Sequence, residues 1–384
     1  MNILHFLPVY LPAWHFGGPI FSVSRVCEAL AKSSNSVRVL TTTFGNPSVS
    51  SPDLKHFISR NINDVEVIYY RHDHPSFPIS SKALISDLAE HINWASLVHL
   101  SSVWHPLGFH VQATCHRLNK PYIQSPRGAL SRYSFFQKPW KKVPYYILRE
   151  RPMLQHAAAI HCTSENEKDE IRLHQLRPPI HIIPNPIEFV PSSSSSESPE
   201  LDFLRQFDCP ILLVAGRLHH KKGLNILPTA LQLVRDLPWH LVIAGDASDS
   251  SGDNLISSLN HYQLHDRFTK LPTLSPSLLR QLYSLTDILL MPSRHENFGN
   301  VLPEALFHGA RAIVSPNVAA SNFLSEFETL SILPRSPNLW SHELRRLLGE
   351  KHYRTTHNQQ LSRIFSPLSV STKMLRLYNS ILSA

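Results

Sequence analysis

The chain of 384 residues predicts an α/β protein made of two doubly wound domains, and three observations lead there. Short apolar runs alternate with amphipathic stretches through both halves, the pattern of βαβ units on a parallel sheet. A length of this size exceeds one ordinary domain and suits two of roughly 180 residues each. The segment EFVPSSSSSESPE, residues 188–200, has no apolar periodicity and separates the halves as a linker.

Taken in order, NILHFL opens the chain as a core strand. It lacks a basic leader and is followed by Pro8 and Pro12, so it does not read as a signal peptide. Gly17-Gly18-Pro19 then precedes FSVSRVCEALAK, a helix whose apolar face is Val23, Val26, Cys27 and Leu30. SVRVLTT, VEVIYY, SLVHL, PYIQS, AAIHCT and IHIIP continue the first sheet, and PILLVAG, WHLVIAG, DRFTKL, DILLMPS and ARAIVS build the second. Met374, Leu375, Leu377, Tyr378, Ile381 and Leu382 fall at helical spacing near the end. The expected division is therefore 1–187 for the first domain, 188–204 for the linker, 205–365 for the second domain and 366–384 for a terminal helix crossing back to the first.

Charged residues are sparse at 17%, the hydrophobic fraction is 42%, and 24 histidines join a serine- and proline-rich surface. A formal charge of +8 invites an acidic partner: nucleic acid, an anionic membrane or a phosphorylated substrate. Nucleic acid is not expected, since no zinc-finger or RNP-like motif accompanies the charge. Cys27, Cys115, Cys162 and Cys209 form no C-x-x-C pair and read as free thiols in a reducing compartment. No apolar run reaches the length of a spanning helix. A cytoplasmic protein is expected, peripheral on the membrane if its basic aromatic segment is used there.

Four segments carry chemistry. In MPSRHENFGNVLPEALFHGARAIVS, Met291 to Ser315, Glu296 falls in the loop after a buried strand and Glu304 just inside the next helix. The start of that helix offers backbone N–H groups to an anion, Pro303 being tolerated in a first turn, and Glu304 can accept from vicinal hydroxyls. In VAGRLHHKKGLNIL, Arg217 and Lys222 leave the end of the second half's first strand, where open α/β sheets bind ligands. Two cations there can grip a diphosphate and neutralise a departing one. Gly17 and Gly18 let backbone N–H groups approach a ligand closely, while Pro19 suits the first turn of the helix. In the fourth segment His99, Trp104 and His105 lie at one strand end and Arg127 and Gly128 at the next; His99 and His105 fit packing or surface roles. Arg132 to Arg151 interleaves aromatic rings with six cations, and two readings stand side by side: a membrane interface, or helices packed on the sheet with a basic edge in water.

The wording ENFGN…EAL…G with Glu296 and Glu304, and Gly216, Arg217, Lys222 and Gly223 in a G-R-x4-K-G element, resemble the family 4 retaining glycosyltransferases. The resemblance extends across the chain and implies the GT-B fold, two Rossmann-like domains facing a central cleft. It implies transfer of a sugar from a nucleotide-sugar donor to a glycan or lipid-linked acceptor, in surface polysaccharide or lipopolysaccharide assembly, without a metal. On the matching positions, Gly17 and Gly18 serve the phosphate side, Arg217 and Lys222 the diphosphate, Glu296 the sugar with the Asn297-Phe298-Gly299 backbone beside it, and Glu304 the ribose. His105 and Arg127 are substrate-side candidates. Many relatives carry histidine at the position of Arg127; arginine stays charged and cannot act as a base, so a contact to a sugar hydroxyl or an acceptor phosphate is expected instead. Two further departures are Gly309-Ala310-Arg311 where G-x-P is common and IPNPIEF where an IPNG-type turn is common. The rival readings are a GT-B sugar-nucleotide epimerase, which needs an acid and base the sequence does not assign, and a non-catalytic basic scaffold on a membrane, which would be expected to have lost Glu296 or Lys222.

Overall fold

The structure is a computed structural model, and it describes residues 1–13, 17–46, 48–49, 56–101, 103–190, 199–350 and 358–383. They fall into two compact units, residues 1–188 with 365–384 and residues 189–364. The serine run of the expected linker lies outside the described residues. From Pro199 to Gln206, across the expected linker end at 204, the chain is a 3-10 helix with Leu201 and Leu204 buried.

In the amino-terminal unit the strands are β1 (Asn2–Phe6), β2 (Ser36–Thr42), β3 (Phe57–Ile62), β4 (Val65–Tyr70), β5 (Leu97–Leu100), β6 (Tyr122–Gln124), β7 (Ala159–Cys162) and β8 (Ile180–Ile182). Their order is β3-β4-β2-β1-β5-β6-β7-β8, parallel apart from β3. All four residues of β5 and of β7 are buried, as expected of strands covered on both faces. The helix Gly18–Lys32 buries Val23, Val26, Cys27 and Leu30, the face its spacing predicts. The sequence reading missed β3, which pairs antiparallel with β4 through Asn63 and Asp64, at φ 52° and 67°. Those two positive φ values are those of a tight hairpin, and the strand escapes pattern reading because it is an exposed edge with no apolar run.

The second unit carries β9 (Ile211–Ala215), β10 (His240–Ala244), β11 (Phe268–Leu271), β12 (Ile288–Met291), β13 (Arg311–Val314) and β14 (Leu330–Ile332). They form one parallel sheet in the order β11-β10-β9-β12-β13-β14. Only the three-residue β14 at the edge was missed. The terminal helix Pro367–Leu382 belongs to the amino-terminal unit, burying Val370, Met374, Leu377 and Tyr378, and the Tyr378 hydroxyl lies 2.6 Å from His99 Nδ1.

Both sheets are doubly wound, and each has a point where strand order reverses: between β1 and β5 in the first and between β9 and β12 in the second. The segments leaving the carboxyl ends of strands at such a point are where open α/β sheets bind ligands. Gly17, His105, Arg217, Lys222 and Glu296 stand on these segments, and Arg127 follows the neighbouring β6. All four cysteines are free, with Cys27, Cys115 and Cys162 buried and Cys209 partly exposed.

Candidate functional site

The loop after β9 is shaped by glycines. Gly216 has φ +107°, and its carbonyl packs against Gly245, where a Cβ would stand 2.2 Å from that oxygen. Backbone hydrogen bonds continue the approach: the Gly216 amide donates to Ala244 O at 2.9 Å and the Leu218 amide to Asp246 O at 2.9 Å. Leu218 is buried, which turns Arg217 outward, exposed and with no hydrogen-bond or ion-pair partner among the described residues. His219 caps the short turn that follows, its Nδ1 accepting from the Lys221 amide at 3.2 Å. The turn ends at Gly223, φ +61°, which has Pro292 O and the Arg335 guanidinium against its Cα.

Arg335 fastens this loop to the one after β12. Its Nε donates to Pro292 O at 2.7 Å, and its Nη2 to Gly223 O at 3.1 Å and to Asn225 Oδ1 at 2.8 Å. The Arg294 amide adds a bond to Lys221 O at 2.6 Å. In the β12 loop the Glu296 amide donates to Asn317 O at 3.1 Å, and Gly299, φ +93°, leaves room for Val318 and for the Glu296 side chain. Two loops 74 residues apart are thereby brought together so that Lys222 Nζ meets Glu296 Oε2 at 2.5 Å. Both side chains keep about a fifth of their surface, 22% and 21%, so the pair is open to a ligand while screened from bulk water.

Glu304 lies on the helix Val301–Phe307, where the Tyr283 hydroxyl donates to its Oε2 at 3.1 Å. That helix runs only seven residues with no side-chain cap at Asn300, a weaker anion site than the sequence reading assumed. Phe298 is buried, its carbonyl accepting from Ala320 at 2.8 Å, and Asn297 is half-buried beside Glu296. Arg311, one of the departures from the family wording, is buried in β13 and donates to Leu347 O at 2.8 Å, which is a packing role.

In the amino-terminal unit Gly17 caps the helix Gly18–Lys32 at φ 98°, a conformation that favours glycine, with Pro19 in the first turn. His105 caps the helix Pro106–Arg117, Nδ1 accepting from the Leu107 amide at 3.2 Å. Burial pulls its pKa down to about 4, so the ring is neutral, and its buried Nε2 has no partner among the described residues. Arg127, at φ 52°, reaches Ser101, Ser22 and Asn185, the asparagine of the IPNP turn. His99 is enclosed between Tyr378 and Ser125, a packing role.

Among the described residues, His219, His220 and Asp249 bring ligand-type atoms within 4.8 Å of one another. Their donors are engaged in holding the loop. With Nδ1 of His219 accepting an amide proton, its own proton sits on Nε2, 3.6 Å from Asp249 Oδ2, and Asp249 also accepts from the His220 amide at 2.9 Å. Arg335 was missed by sequence reading altogether, because its partners lie 43 to 112 residues away and no motif contains it.

The described geometry has counterparts elsewhere. Residues 204–361 match the model of the glycosyl transferases group 1 and residues 16–189 that of Glycosyltransferase Family 4. An uncharacterised glycosyltransferase of Bacillus subtilis, YqgM, is 24% identical over 245 residues, 62% of this chain and 66% of that protein. The chain spans smaller shares of other curated relatives it matches. Sucrose-phosphate synthase of Thermosynechococcus elongatus superposes with a TM-score of 0.74 at 18% identity, covering 100% of this chain and 99% of that one. Anabaena HepE, solved with UDP and glucose, gives 0.72 at 15% identity over 99% and 100%. With both halves matched and the fold shared along its length, the chain belongs to the family 4 glycosyltransferases of GT-B fold.

Proposed function

We propose that the protein is a retaining glycosyltransferase that moves a sugar from a nucleotide-sugar donor to a glycan or lipid-linked acceptor of surface polysaccharide or lipopolysaccharide assembly. The observation that carries this reading is the Lys222–Glu296 pair at the reversal point of the second sheet, with Arg217 exposed beside it. A half-buried lysine and an exposed arginine suit a diphosphate, which they would neutralise as the sugar–phosphate bond breaks. Glu296 then faces the sugar, and Glu304, with one oxygen held by Tyr283, accepts from the ribose hydroxyls. In the transfer the acceptor oxygen bonds to the anomeric carbon, the bond from that carbon to the phosphate oxygen breaks, and the acceptor proton passes to the leaving phosphate. Positive side chains fill the role of a metal in this scheme, so turnover should persist in chelator.

The amino-terminal unit supplies the acceptor side. No helix among the described residues is long and apolar enough to cross a membrane. Phe136, Trp140, Ile147 and Leu148 are exposed among Arg132, Lys138, Lys141, Arg149 and Arg151, and the one acid of that stretch, Glu150, is buried. Rings and cations with no exposed acid in the same stretch suit an anionic bilayer surface, where a lipid-linked acceptor would be found. Incubating the purified protein with a panel of nucleotide sugars tests the reading: slow release of nucleoside diphosphate from one donor, lost in Lys222→Ala, is expected. No hydrolysis and no binding of any nucleoside diphosphate would refute it, and product isomerised at the sugar would favour an epimerase.

A further inference from the structure

Arg127 gathers the reversal point of the first sheet. It lies just past β6, and its Nε donates to Ser101 Oγ, just past β5, at 3.3 Å. Its Nη1 donates to Ser22 Oγ at 3.2 Å, in the helix that follows β1, and to Asn185 Oδ1 at 2.9 Å, beyond β8. Ser22 is oriented for this by donating its own proton to Pro19 O at 3.2 Å. Every partner is neutral. No carboxylate among the described residues lies within ion-pair distance of the guanidinium. Glu167, whose charge acts on it, is occupied by the Gly128 amide at 2.6 Å, the Thr163 amide at 2.7 Å and the Thr163 hydroxyl at 2.8 Å.

His5 and His161 are fully enclosed, and burial together with the field of Arg127 pulls both to about 3, so they stay neutral. Desolvation lowers the pKa of Arg127 itself, though a guanidinium remains charged. An arginine so placed is costly to keep unless an anion answers it. The side chain nevertheless keeps part of its surface in solvent, and the two N–H groups of Nη2 bond to no described residue. Arg127 is thus half-buried with donors left over.

We infer that Arg127 forms an anion-binding subsite of the amino-terminal unit that takes a phosphoryl group of a substrate. This rests on the glycosyltransferase reading above and decides between the two contacts the sequence left open: a sugar hydroxyl would leave the charge unanswered, whereas phosphate oxygens accept paired N–H donors and balance it. The phosphoryl group belongs either to the donor diphosphate or to a phosphorylated acceptor.

Calorimetry on the full chain separates these sources with inorganic phosphate as the probe, titrated alone and with saturating nucleoside diphosphate. Displacement by the diphosphate assigns the subsite to the donor; undiminished binding assigns it to the acceptor. Arg127→Gln should weaken phosphate by about tenfold or more, the scale of one lost charge-assisted contact. Because that change removes three hydrogen bonds from the core, Asn185→Asp is the companion variant. It sets a carboxylate of the same shape 2.9 Å from Nη1, and phosphate affinity should fall about tenfold while the melting temperature holds or rises. Saturable phosphate binding absent from the wild type, or undiminished in folded Asn185→Asp, overturns the inference. Phosphate binding that depends on Arg127 in a protein that binds no nucleoside diphosphate leaves the subsite standing and removes the donor reading instead.

Discussion

Replacing Gly223 by alanine tests whether the site is assembled by the close approach of two loops. The new Cβ would stand 2.2 Å from Pro292 O and 2.7 Å from Arg335 Nε, and a backbone carbonyl cannot swing aside as a side-chain tip can. A non-glycine residue at φ +61° costs about 1 kcal/mol. Moving the β12 loop away breaks the Arg335 bonds to Pro292 O and Gly223 O, charge-assisted contacts of about 1.5 to 3 kcal/mol each. Alanine returns roughly 0.4 to 1 kcal/mol through the unfolded chain. If one of the two bonds is lost, the net is a destabilisation of about 2 to 3 kcal/mol, and a unit of this size loses roughly 2 to 4 °C per kcal/mol. The melting transition of the second unit, identified by its shift with nucleoside diphosphate, should therefore fall by about 4 to 12 °C. Turnover of the surviving folded protein should drop as well, since Lys222 adjoins the displaced residue. Gly349→Ala is the control: nothing lies within 4 Å of a Cβ there, so this end-of-helix change should stabilise slightly. If Gly223→Ala melted like the wild type with turnover intact, the two loops would not be coupled as described.

Lys222→Ala should cut turnover by roughly a hundredfold to a thousandfold, the scale of one removed donor to a developing anion, and cost little stability because the pair is partly exposed; initial rates and a melting curve check both. Glu296→Gln should impair transfer more than nucleotide affinity, whereas Glu304→Gln should weaken nucleoside diphosphate by about 1.5 to 3 kcal/mol in calorimetry, and equal affinities would show the two roles misassigned. Glu150 is buried with its pKa pushed up to about 7, so the folded state binds the proton more tightly than the unfolded chain, and stability is present below the unfolded value near 4.5 and lost as pH rises through about 7. Glu150→Gln should remove that loss, gaining on the order of 3 kcal/mol over the wild type at pH 8 relative to pH 4, as read from denaturant midpoints. Reversing Lys138, Lys141 and Arg149 to glutamate should release the protein from anionic vesicles at physiological salt, each cation being worth about 1 kcal/mol, and flotation unchanged by the triple variant would count against the basic face.

The strands of both sheets were legible because buried parallel strands are written as short continuous apolar runs such as ILLVA and ILLM, whose burial on two faces leaves no polar position to blur the signal. The edges were not. FISRNI is exposed along most of its length and LSI is too short to carry a pattern, so pairing decided them and apolar content did not. The motif residues were legible one by one, since glycine at a positive φ and a charge after a buried strand are local statements. Their meeting was not: that Lys222 lies 2.5 Å from Glu296, and that Arg335 locks the two loops carrying them, depends on β9 and β12 being neighbours in the sheet.

Arg127 shows the same division. Its identity and its place after a strand are sequence facts, and they rule out a proton-relay role by the chemistry of the guanidinium alone. Its isolation among neutral partners comes from segments following four separate strands. A chain can write which groups it carries and which strands it buries within a few consecutive residues, because those depend on local geometry and transfer to an apolar interior. Whether two charges meet or one is left alone depends on strand order, which closes loops of 26 to more than 100 residues and is settled only when the whole sheet packs.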